Sequence, residues 1–360
     1  MPIQQYELGA LQRQIQDRGA RWRPGRTSVS ELSAEDKGRR LGAEIPNMAE
    51  LEAAATPERH AQARAGTYPA DFDWRNFNGQ NYVTPIEDQG NCGSCVAFGV
   101  SAAVEGMFQV QRNNPNSGID LSEAQLFYCY GAQDGATCET GWYPDQALKH
   151  VQTQGITSAV YFPYTAGDQS CNLQQGYDQA SVFINGFHTA GDVGAMKDWV
   201  ANMGPVTTCF TVYDDFFYYT GGIYTRTSDQ VAGGHCVCVV GFNDDESYWI
   251  CKNSWGTGWG EQGFFRIAYG QCGIDAQMWL LDGIANTGWL NGANVLAAYA
   301  SNRDSNAWVW IDQLNAWAEL AQSSPEATLA MLEQLLASKD SGRPNNIHLT
   351  NDIVDTVYAL

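Results

Sequence analysis

The hydrophobic and polar positions divide the 360-residue chain into three regions of different character. Residues 1–66 are polar and rich in arginine, and they contain short helical segments. Ser33 followed by Asp36 is typical of a helix start, and Gly42 is a plausible helix end. MAELEAAA (48–55) predicts a second helical segment in this region, which we call the leader.

Residues 67–282 carry the cysteines and many glycine- and aromatic-rich turns, and they mix helix with strand. The apolar run CVAFGVSAAVEGMFQVQ (95–111) predicts a long helix. The strand-like runs are CVCVVGF (236–242), YWICKNSW (248–255) and GFFRIAY (263–269).

Residues 283–360 form a third region, whose predicted order is three strands, a helix and two strands. The strand candidates are NVLAAYAS (294–301), NAWVWID (306–312), NAWAEL (315–320), NIHLT and DIVDTVYAL. The helix is SSPEATLAMLEQLLAS (323–338), with Pro325 in its first turn and Gly342 beyond its end. This order matches an OB-like barrel, although element order alone leaves the fold open.

Composition and charge restrict the classes of protein. Apolar residues make up 44% of the chain and charged residues 17%, which is typical of a packed globular protein. The net charge of −20 argues against a nucleic-acid partner. Residues 1–66 hold ten Lys or Arg against nine Asp or Glu, so the acidic excess lies in the rest of the chain. We expect the mildly basic leader and the acidic body to attract each other.

The ten cysteines are compatible with disulfides together with free thiols. Disulfides would indicate an extracellular or other oxidising compartment. The opening MPIQQYELGALQRQ has no apolar core typical of a signal peptide, which argues the other way, so the localisation stays open. The sequence has no window of eighteen consecutive apolar residues, so we expect no transmembrane helix.

The stretch QGNCGSC (89–95) is compatible with three kinds of chemistry. A redox CxxC is expected after a central parallel strand, but NYVTPIEDQGN contains Pro85 and polar turns. A zinc site needs about four convergent ligands. In HCVC (235–238), strand alternation sends His235 to one face and the two cysteines to the other. We therefore expect no metal and no cofactor.

A nucleophilic cysteine accounts for more of the residues. A helix N-terminus stabilises a thiolate, and Cys95 lies at such a position. The nucleophile also needs a base, a group that orients the base, and donors for the tetrahedral oxyanion. The side-chain amide of Gln89 and the backbone N–H of Cys95 are candidate donors.

Four segments in order resemble the papain-like cysteine proteases. They are DWRN…YVTPIEDQGNCGSCVAF (73–98), LSEAQLFYC (121–129), GGHCVCVVGF (233–242) and KNSWGTGWGEQGFFRI (252–267). The resemblance covers residues 67–282 and implies an α+β fold of two lobes, one helical and one barrel-like, with a cleft between them. One departure is Val96, where the family usually has tryptophan after the nucleophile.

The resemblance implies a role for each matching residue. Cys95 would be the nucleophile, His235 the general base and acid, Asn253 the residue that orients the imidazole, and Gln89 an oxyanion donor. Trp255 would shield the His–Asn hydrogen bond from water. The pocket for the substrate residue two before the scissile bond would be lined by uncharged residues, namely Gly141, Pro144, Cys209, Gly233, Cys236 and Gln277.

The resemblance also implies two disulfides, Cys92–Cys138 and Cys129–Cys171. Cys272 matches a family cysteine, but its usual partner is absent from YTRTSDQVAGG (224–234). We therefore expect free thiols at the remaining positions besides Cys95, which are Cys209, Cys236, Cys238, Cys251 and Cys272.

The domain prediction is a leader at 1–66, a peptidase domain at 67–282 and a small α+β accessory domain at 283–360. Family members carry leaders that run through the cleft, so we expect residues 1–66 to be an intramolecular inhibitor, with a permanent N-terminal arm as the alternative. In the accessory domain, aromatic residues form either barrel core or a binding face of unknown ligand; they are Trp308, Trp310, Trp317 and Tyr358.

Two functions stay open at this point. The first is a latent cysteine-type endopeptidase that acts on protein or peptide substrates. The second is a catalytically weak or inactive paralogue that keeps the fold for binding or regulation. The presence of Cys95, His235, Asn253 and Gln89 favours the first, and Val96 is the residue that favours the second.

Overall fold

The computed structural model describes residues 3–45, 50, 52–53, 68–285, 288–301, 306–314, 316–322, 324–350 and 352–359. The helices are α1 (Leu8–Asp17), α2 (Ala34–Gly38), α3 (Cys95–Gln111), α4 (Pro144–Gln154), α5 (Val193–Asn202) and α6 (Pro325–Ser341). Short 3-10 segments and a π-helical segment, Gln125–Gly131, lie between them.

The strands of the first 285 residues are β1 (Arg21–Pro24), β2 (Asp71–Asp73), β3 (Phe183–Ile184), β4 (Phe187–Ala190), β5 (Val206–Tyr213), β6 (Tyr219–Tyr224), β7 (Val231–Asn243), β8 (Tyr248–Lys252), β9 (Phe264–Ala268), β10 (Met278–Leu281) and β11 (Ile284–Ala285). The last six are β12 (Gly288–Ala293), β13 (Val295–Ala300), β14 (Ala307–Ile311), β15 (Ala316–Leu320), β16 (Asn345–Thr350) and β17 (Ile353–Ala359).

In the central part of the chain, a nearly apolar helix packs against a large sheet, and these two elements form the two walls of the cleft. Helix α3 is buried along most of its length, and its N-terminal half packs on β7. The sheet has the order β1-β6-β9-β8-β7-β5-β10-β4, with β2 on β7. Gly99 permits the close approach, because a Cβ there would lie 2.8 Å from Sγ of Cys236. The predicted α+β class is confirmed by these helices and sheets.

The leader contributes elements to this core. The strand β1 pairs antiparallel with β6 at the edge of the sheet. Helix α1 buries Leu11 and Ile15, and the short helix α2 begins at Ser33, whose hydroxyl accepts the Asp36 N–H as expected. The helix ends at Gly38, before Gly42. Of the segment 48–55 the structure describes residues 50, 52 and 53, which are helical.

The strands β3 and β11 form a small separate sheet, and the last six strands form another with the order β12-β16-β17-β15-β14-β13. The strands β12 and β13 follow each other directly, broken at Asn294, and occupy the two ends of this order. β15 and β17 run parallel, and α6 connects β15 to β16. This connectivity is that of an OB-like barrel, whose first strand borders both the second and the fourth.

The barrel has its own apolar core, built from inward positions such as Val309, Ile311, Leu320 and Leu335. The four aromatic residues of interest lie outside this core. Trp308 and Trp310 are half-buried, while Trp317 and Tyr358 are 42% and 59% exposed. The core alternative is therefore wrong for these side chains, and a binding face stays a prediction. The division at residues 66 and 282 also stays a prediction.

In the described part of the chain, no helix has both the length and the apolar character that crossing a membrane requires.

Candidate active site

The candidate nucleophile opens helix α3. Cys95 is the first residue of this helix, follows Ser94, and is completely buried, as is Val96 behind it. Gly93 is fixed by its N–H, which donates to the Cys138 carbonyl at 2.9 Å. The predicted disulfides Cys92–Cys138 and Cys129–Cys171 are confirmed, and the first of them lies three residues before Cys95. The helix start is thus held by covalent and backbone links.

The candidate base lies on β7, opposite the helix. His235 is completely buried, and its Nε2–H donates to Oδ1 of Asn253 at 2.7 Å. The indole of Trp255 covers the imidazole, with 4.8 Å between the ring centroids. Sγ of the next residue, Cys236, packs against Gly99 of α3, where a Cβ would lie 2.8 Å from it.

Asn253 is placed by a buried polar network under the cleft. The preceding residue, Lys252, ends β8 and donates through Nζ to the hydroxyl of Thr84 at 2.7 Å. Thr84 donates in turn to Glu105 on α3. Burial raises the pKa of the Glu105 carboxyl, and Lys252 and Thr84 oppose this shift. The network ties the Asn253 loop to the helix that carries Cys95.

Gln89 is oriented by a residue that the sequence analysis did not single out. The hydroxyl of Ser254 donates to Oε1 of Gln89 at 2.7 Å, which turns the amide nitrogen toward the cleft. That nitrogen donates to the Cys92 carbonyl at 2.8 Å and to the Arg40 carbonyl at 3.1 Å. The only sequence signal for Ser254 is its place inside the KNSWG segment.

The leader crosses the site at residues 40–45. The N–H of Ala43 donates to the carbonyl of Gly234, the residue before His235, at 3.1 Å. The carbonyl of Gly42 accepts the N–H of Trp142 at 2.8 Å. Cβ atoms at Gly42 and Gly141 would collide with opposing backbone, at 1.9 Å and 2.1 Å. The contact therefore requires glycine on both sides.

The predicted substrate pocket is partly assembled around the leader. Cys209 and Gln277 line a cavity together with Ile45 of the leader. Gly233 touches the side chain of Leu41, since a Cβ there would lie 3.1 Å from it. Pro144 is buried as the first residue of α4. Cys236 is the cross-strand partner of Cys209 and contributes to a separate small cavity beneath the cleft.

The other predicted thiols, Cys209, Cys236, Cys238, Cys251 and Cys272, are free and buried. Within the described ranges no group of three or more His, Cys, Asp or Glu side chains has the arrangement of a metal site.

Burial shifts the pKa values of the two candidate catalytic groups. It raises the pKa of the Cys95 thiol to about 12, and Cys236 adds to the shift. It lowers the pKa of His235 to about 4, against the hydrogen bond that the imidazole donates to Asn253, which favours the charged ring. Both pKa shifts favour the neutral thiol and the neutral imidazole while the leader is in place. We expect removal of the leader to rehydrate the site and to allow a thiolate–imidazolium pair.

We predict that alkylation of Cys95 by iodoacetamide depends on the leader. In the full-length chain the reaction should be slow at pH 6–8, because a raised thiol pKa leaves little thiolate and the thiol is buried. After removal of the leader it should begin well below about pH 8, the range of a free thiol. Mass spectrometry of the Cys95 peptide across pH measures both profiles. A leader-free profile that starts only above about pH 8 would contradict the ion pair.

Comparison with known proteins agrees with this geometry. The family model described as papain family cysteine protease matches residues 68–280. Pro-cathepsin H of Mus musculus is 35% identical over 223 residues, which cover 59% of this chain and 64% of that protein. Cathepsin L-like proteinase of Fasciola hepatica is 34% identical over 221 residues, 59% of this chain and 65% of that protein.

Solved structures give the same result. A digestive procathepsin L2 proteinase from the larval midgut of Tenebrio molitor has a TM-score of 0.62 and 28% identity, covering 76% of this chain and 88% of that one. A cysteine protease of Carica candamarcensis in complex with E-64 has a TM-score of 0.50 and 31% identity, covering 59% and 98%. The chain belongs to the papain family of cysteine proteases. It spans just under two thirds of the length of the curated relatives described above.

Proposed function

We propose that the protein is a cysteine-type endopeptidase that is latent while its leader occupies the cleft. Cys95 attacks the scissile carbonyl as a thiolate and forms an acyl-enzyme. His235 gives a proton to the leaving amine and later activates water, while Asn253 holds the imidazole. Gln89 and the N–H of Cys95 stabilise the oxyanion. The division into leader (1–66), peptidase domain (67–282) and accessory domain (283–360) is part of this proposal.

One observation carries the proposal. The leader segment Arg40–Ala43 is in contact with Gln89, with the Cys95 region and with Gly234 beside His235. Three nearby residues of one peptide chain, Arg40, Gly42 and Ala43, thus reach the candidate oxyanion donor, the Gly93 carbonyl in the turn before the nucleophile, and the strand of the base. A substrate backbone needs the same contacts, so the leader blocks the site by occupying it.

The alternative, an inactive paralogue, is separated by a thiol-directed epoxide inhibitor. The full-length chain is folded first, its leader is cut at a specific-protease site introduced between residues 54 and 67, and the leader is removed by gel filtration. This product is the processed chain. Single labelling at Cys95 together with hydrolysis of a peptide library supports the endopeptidase. Absence of both, in a chain that is folded by circular dichroism, favours the paralogue.

We predict that the processed chain prefers an aliphatic or aromatic side chain two residues before the scissile bond. The cavity around Ile45 is lined by Cys209, Phe210, Thr211 and other uncharged residues. An arginine or lysine there would lose water without gaining a carboxylate partner. Sequencing of cleavage products from a peptide library measures this preference. A preference for arginine at that position would refute the proposed lining.

A further inference from the structure

Besides the pocket around Ile45, the body binds a second side chain of the leader, Arg40, in the loop that precedes the nucleophile. The Arg40 guanidinium donates through Nη1 to Oδ1 of Asp88 at 2.8 Å and through Nε to Oδ1 of Asn91 at 3.2 Å. The Arg40 side chain is only 9% exposed, although it carries a full charge. Its own carbonyl accepts from the amide of Gln89. A basic side chain is therefore bound by Asp88, the residue that directly precedes the candidate oxyanion donor Gln89.

The site is formed before any substrate arrives. The N–H of Gly90 donates to Oδ1 of Asp88 at 2.9 Å, which fixes the carboxylate in the loop. The other carboxylate oxygen packs against Gly256, where a Cβ would lie 3.1 Å from it. The backbone of Asp88 also forms a bridge with Trp255. When the leader leaves, this oriented carboxylate is left beside the cleft without its guanidinium.

The position of the site relative to the scissile bond follows from the two walls of the cleft. The pocket around Ile45, proposed for the residue two before the cut, belongs to the β wall. Between Ile45 and Arg40 along the leader, Gly42 lies against the carbonyl of Gly93, two residues before Cys95. Arg40 lies five residues earlier in the leader, beyond Gly42, and therefore on the leaving-group side. Asp88 and Asn91 belong to the loop before α3, which is the helical wall.

Side chains of an extended substrate alternate between the two walls. With the residue two before the cut on the β wall, the residue just before the cut and the second residue after it face the helical wall. Only the second of these lies on the leaving-group side. The location of Asp88 thus identifies one substrate position.

We propose that Asp88, with Asn91, forms a subsite that prefers arginine or lysine at the second residue after the scissile bond. This proposal rests on the endopeptidase function proposed above and adds a substrate class to it. Arginine is the better ligand, because its fork reaches a carboxylate and an amide oxygen together, as Arg40 does. Asp88 and Asn91 act as specificity determinants, separate from the groups that carry out bond cleavage.

The test uses the processed chain and quenched fluorescent peptides that are identical except at the second residue after the cut. That residue is arginine, leucine or glutamate, and cleavage at the intended bond is verified by mass spectrometry. We expect kcat/KM for arginine to exceed that for leucine about fivefold, a modest ratio because Asp88 is 49% exposed. Asp88→Asn keeps an oxygen for the Gly90 N–H and should bring the ratio close to unity.

Two further variants separate charge recognition from a structural effect. Asp88→Arg should reverse the order and favour glutamate, which loss of folding or of general activity would not produce. Asp178→Asn removes the same charge at an exposed position of the peptidase domain and should leave the arginine-to-leucine ratio unchanged. An unchanged ratio in Asp88→Asn, or a basic preference just before the cut instead, would overturn the proposal.

A binding measurement keeps the two proposals apart. The same peptides are titrated against the processed chain carrying Cys95→Ala, with fluorescence anisotropy as readout. Tighter binding of the arginine peptide, lost in Asp88→Asn, supports the subsite even if the wild-type chain hydrolyses nothing, in which case the endopeptidase proposal alone fails. Equal binding of the arginine and leucine peptides would contradict the subsite.

Discussion

Replacement of Cys95 by alanine should abolish peptide hydrolysis by the processed chain, with a loss of about 10⁴-fold or more in kcat. The variant retains His235, Asn253 and Gln89, but no atom remains that forms the acyl-enzyme. Serine at this position should lose nearly as much, because an alcohol paired with this imidazole is a far weaker nucleophile than a thiolate. Initial rates with a quenched peptide, at enzyme concentrations high enough to detect residual turnover, give the measurement.

The control for this prediction is a buried cysteine of the opposite wall. Cys238→Ala removes a thiol from β7 outside the proposed machinery and should keep activity within a few-fold. Circular dichroism and thermal unfolding should show that Cys95→Ala is folded. Turnover by a folded Cys95→Ala protein at the wild-type rate would contradict the assignment of the nucleophile.

Elements with strong local patterns could be predicted from the sequence. The apolar run 95–111 predicts α3 with its observed ends, because a continuous apolar stretch of that length has no other stable form than a buried helix. From β13 onward, the C-terminal residues follow the predicted order of elements, with α6 starting at Pro325. The strand β12 was missed, since GWLNGA has two glycines and no clear alternation.

The contacts of the leader with the rest of the chain could not be predicted from the sequence. The strand β1 has only four residues, RWRP, and its partner β6 lies about two hundred residues further along the chain. The helix α1 buries two residues, Leu11 and Ile15, which is too short a pattern to identify its partner surface. Among the apolar side chains of the leader, Trp22 is 2% exposed, and Leu32 and Leu41 pack on the core while partly exposed.

The site follows the same division. Cys95, His235, Asn253 and Gln89 lie inside family motifs, so their residues could be named from the sequence, while their assembly depends on contacts across the cleft. Ser254 contacts Gln89, and Asp88 contacts Arg40 of the leader. No spacing in the sequence reveals that Ser254 donates to Gln89. Arg40 is one of several arginines in a leader with only short helical segments, so its contact with Asp88 could not be predicted from the sequence.

Charge alone does not hold the leader on the body. The pair Arg18–Asp229 joins side chains that are 46% and 73% exposed, and such pairs contribute about 0–1 kcal/mol. Trp22 is buried instead, and its indole N–H donates to the Thr225 carbonyl at 2.9 Å. Salt should therefore weaken the inhibition only in part. Covalent linkage also gives the leader a high effective concentration at the cleft.

A single added methyl group in the leader should release this inhibition. The Cβ of Gly42→Ala would lie 1.9 Å from the carbonyl oxygen of Gly93, a distance that no relaxed contact reaches. Gly93 cannot yield easily, because its N–H is bonded to Cys138 and the adjacent Cys92 is in a disulfide with Cys138. The leader must move instead, and it then loses the hydrogen bonds of Gly42 and Ala43.

We therefore predict that uncleaved Gly42→Ala hydrolyses peptides at least about tenfold faster than the uncleaved wild-type chain, since each 1.4 kcal/mol of lost leader binding is a factor of ten. Initial rates are compared while mass spectrometry shows the chains intact, with the processed chain as the upper limit. Gly9→Ala is the matched control: it adds the same methyl group in α1, where the nearest atom is Nη1 of Arg13 at 3.8 Å. Its rate should equal that of the uncleaved wild type. If uncleaved wild type, Gly42→Ala and the processed chain all hydrolyse peptides equally fast, the leader is a permanent arm and its residues in the cleft do not inhibit.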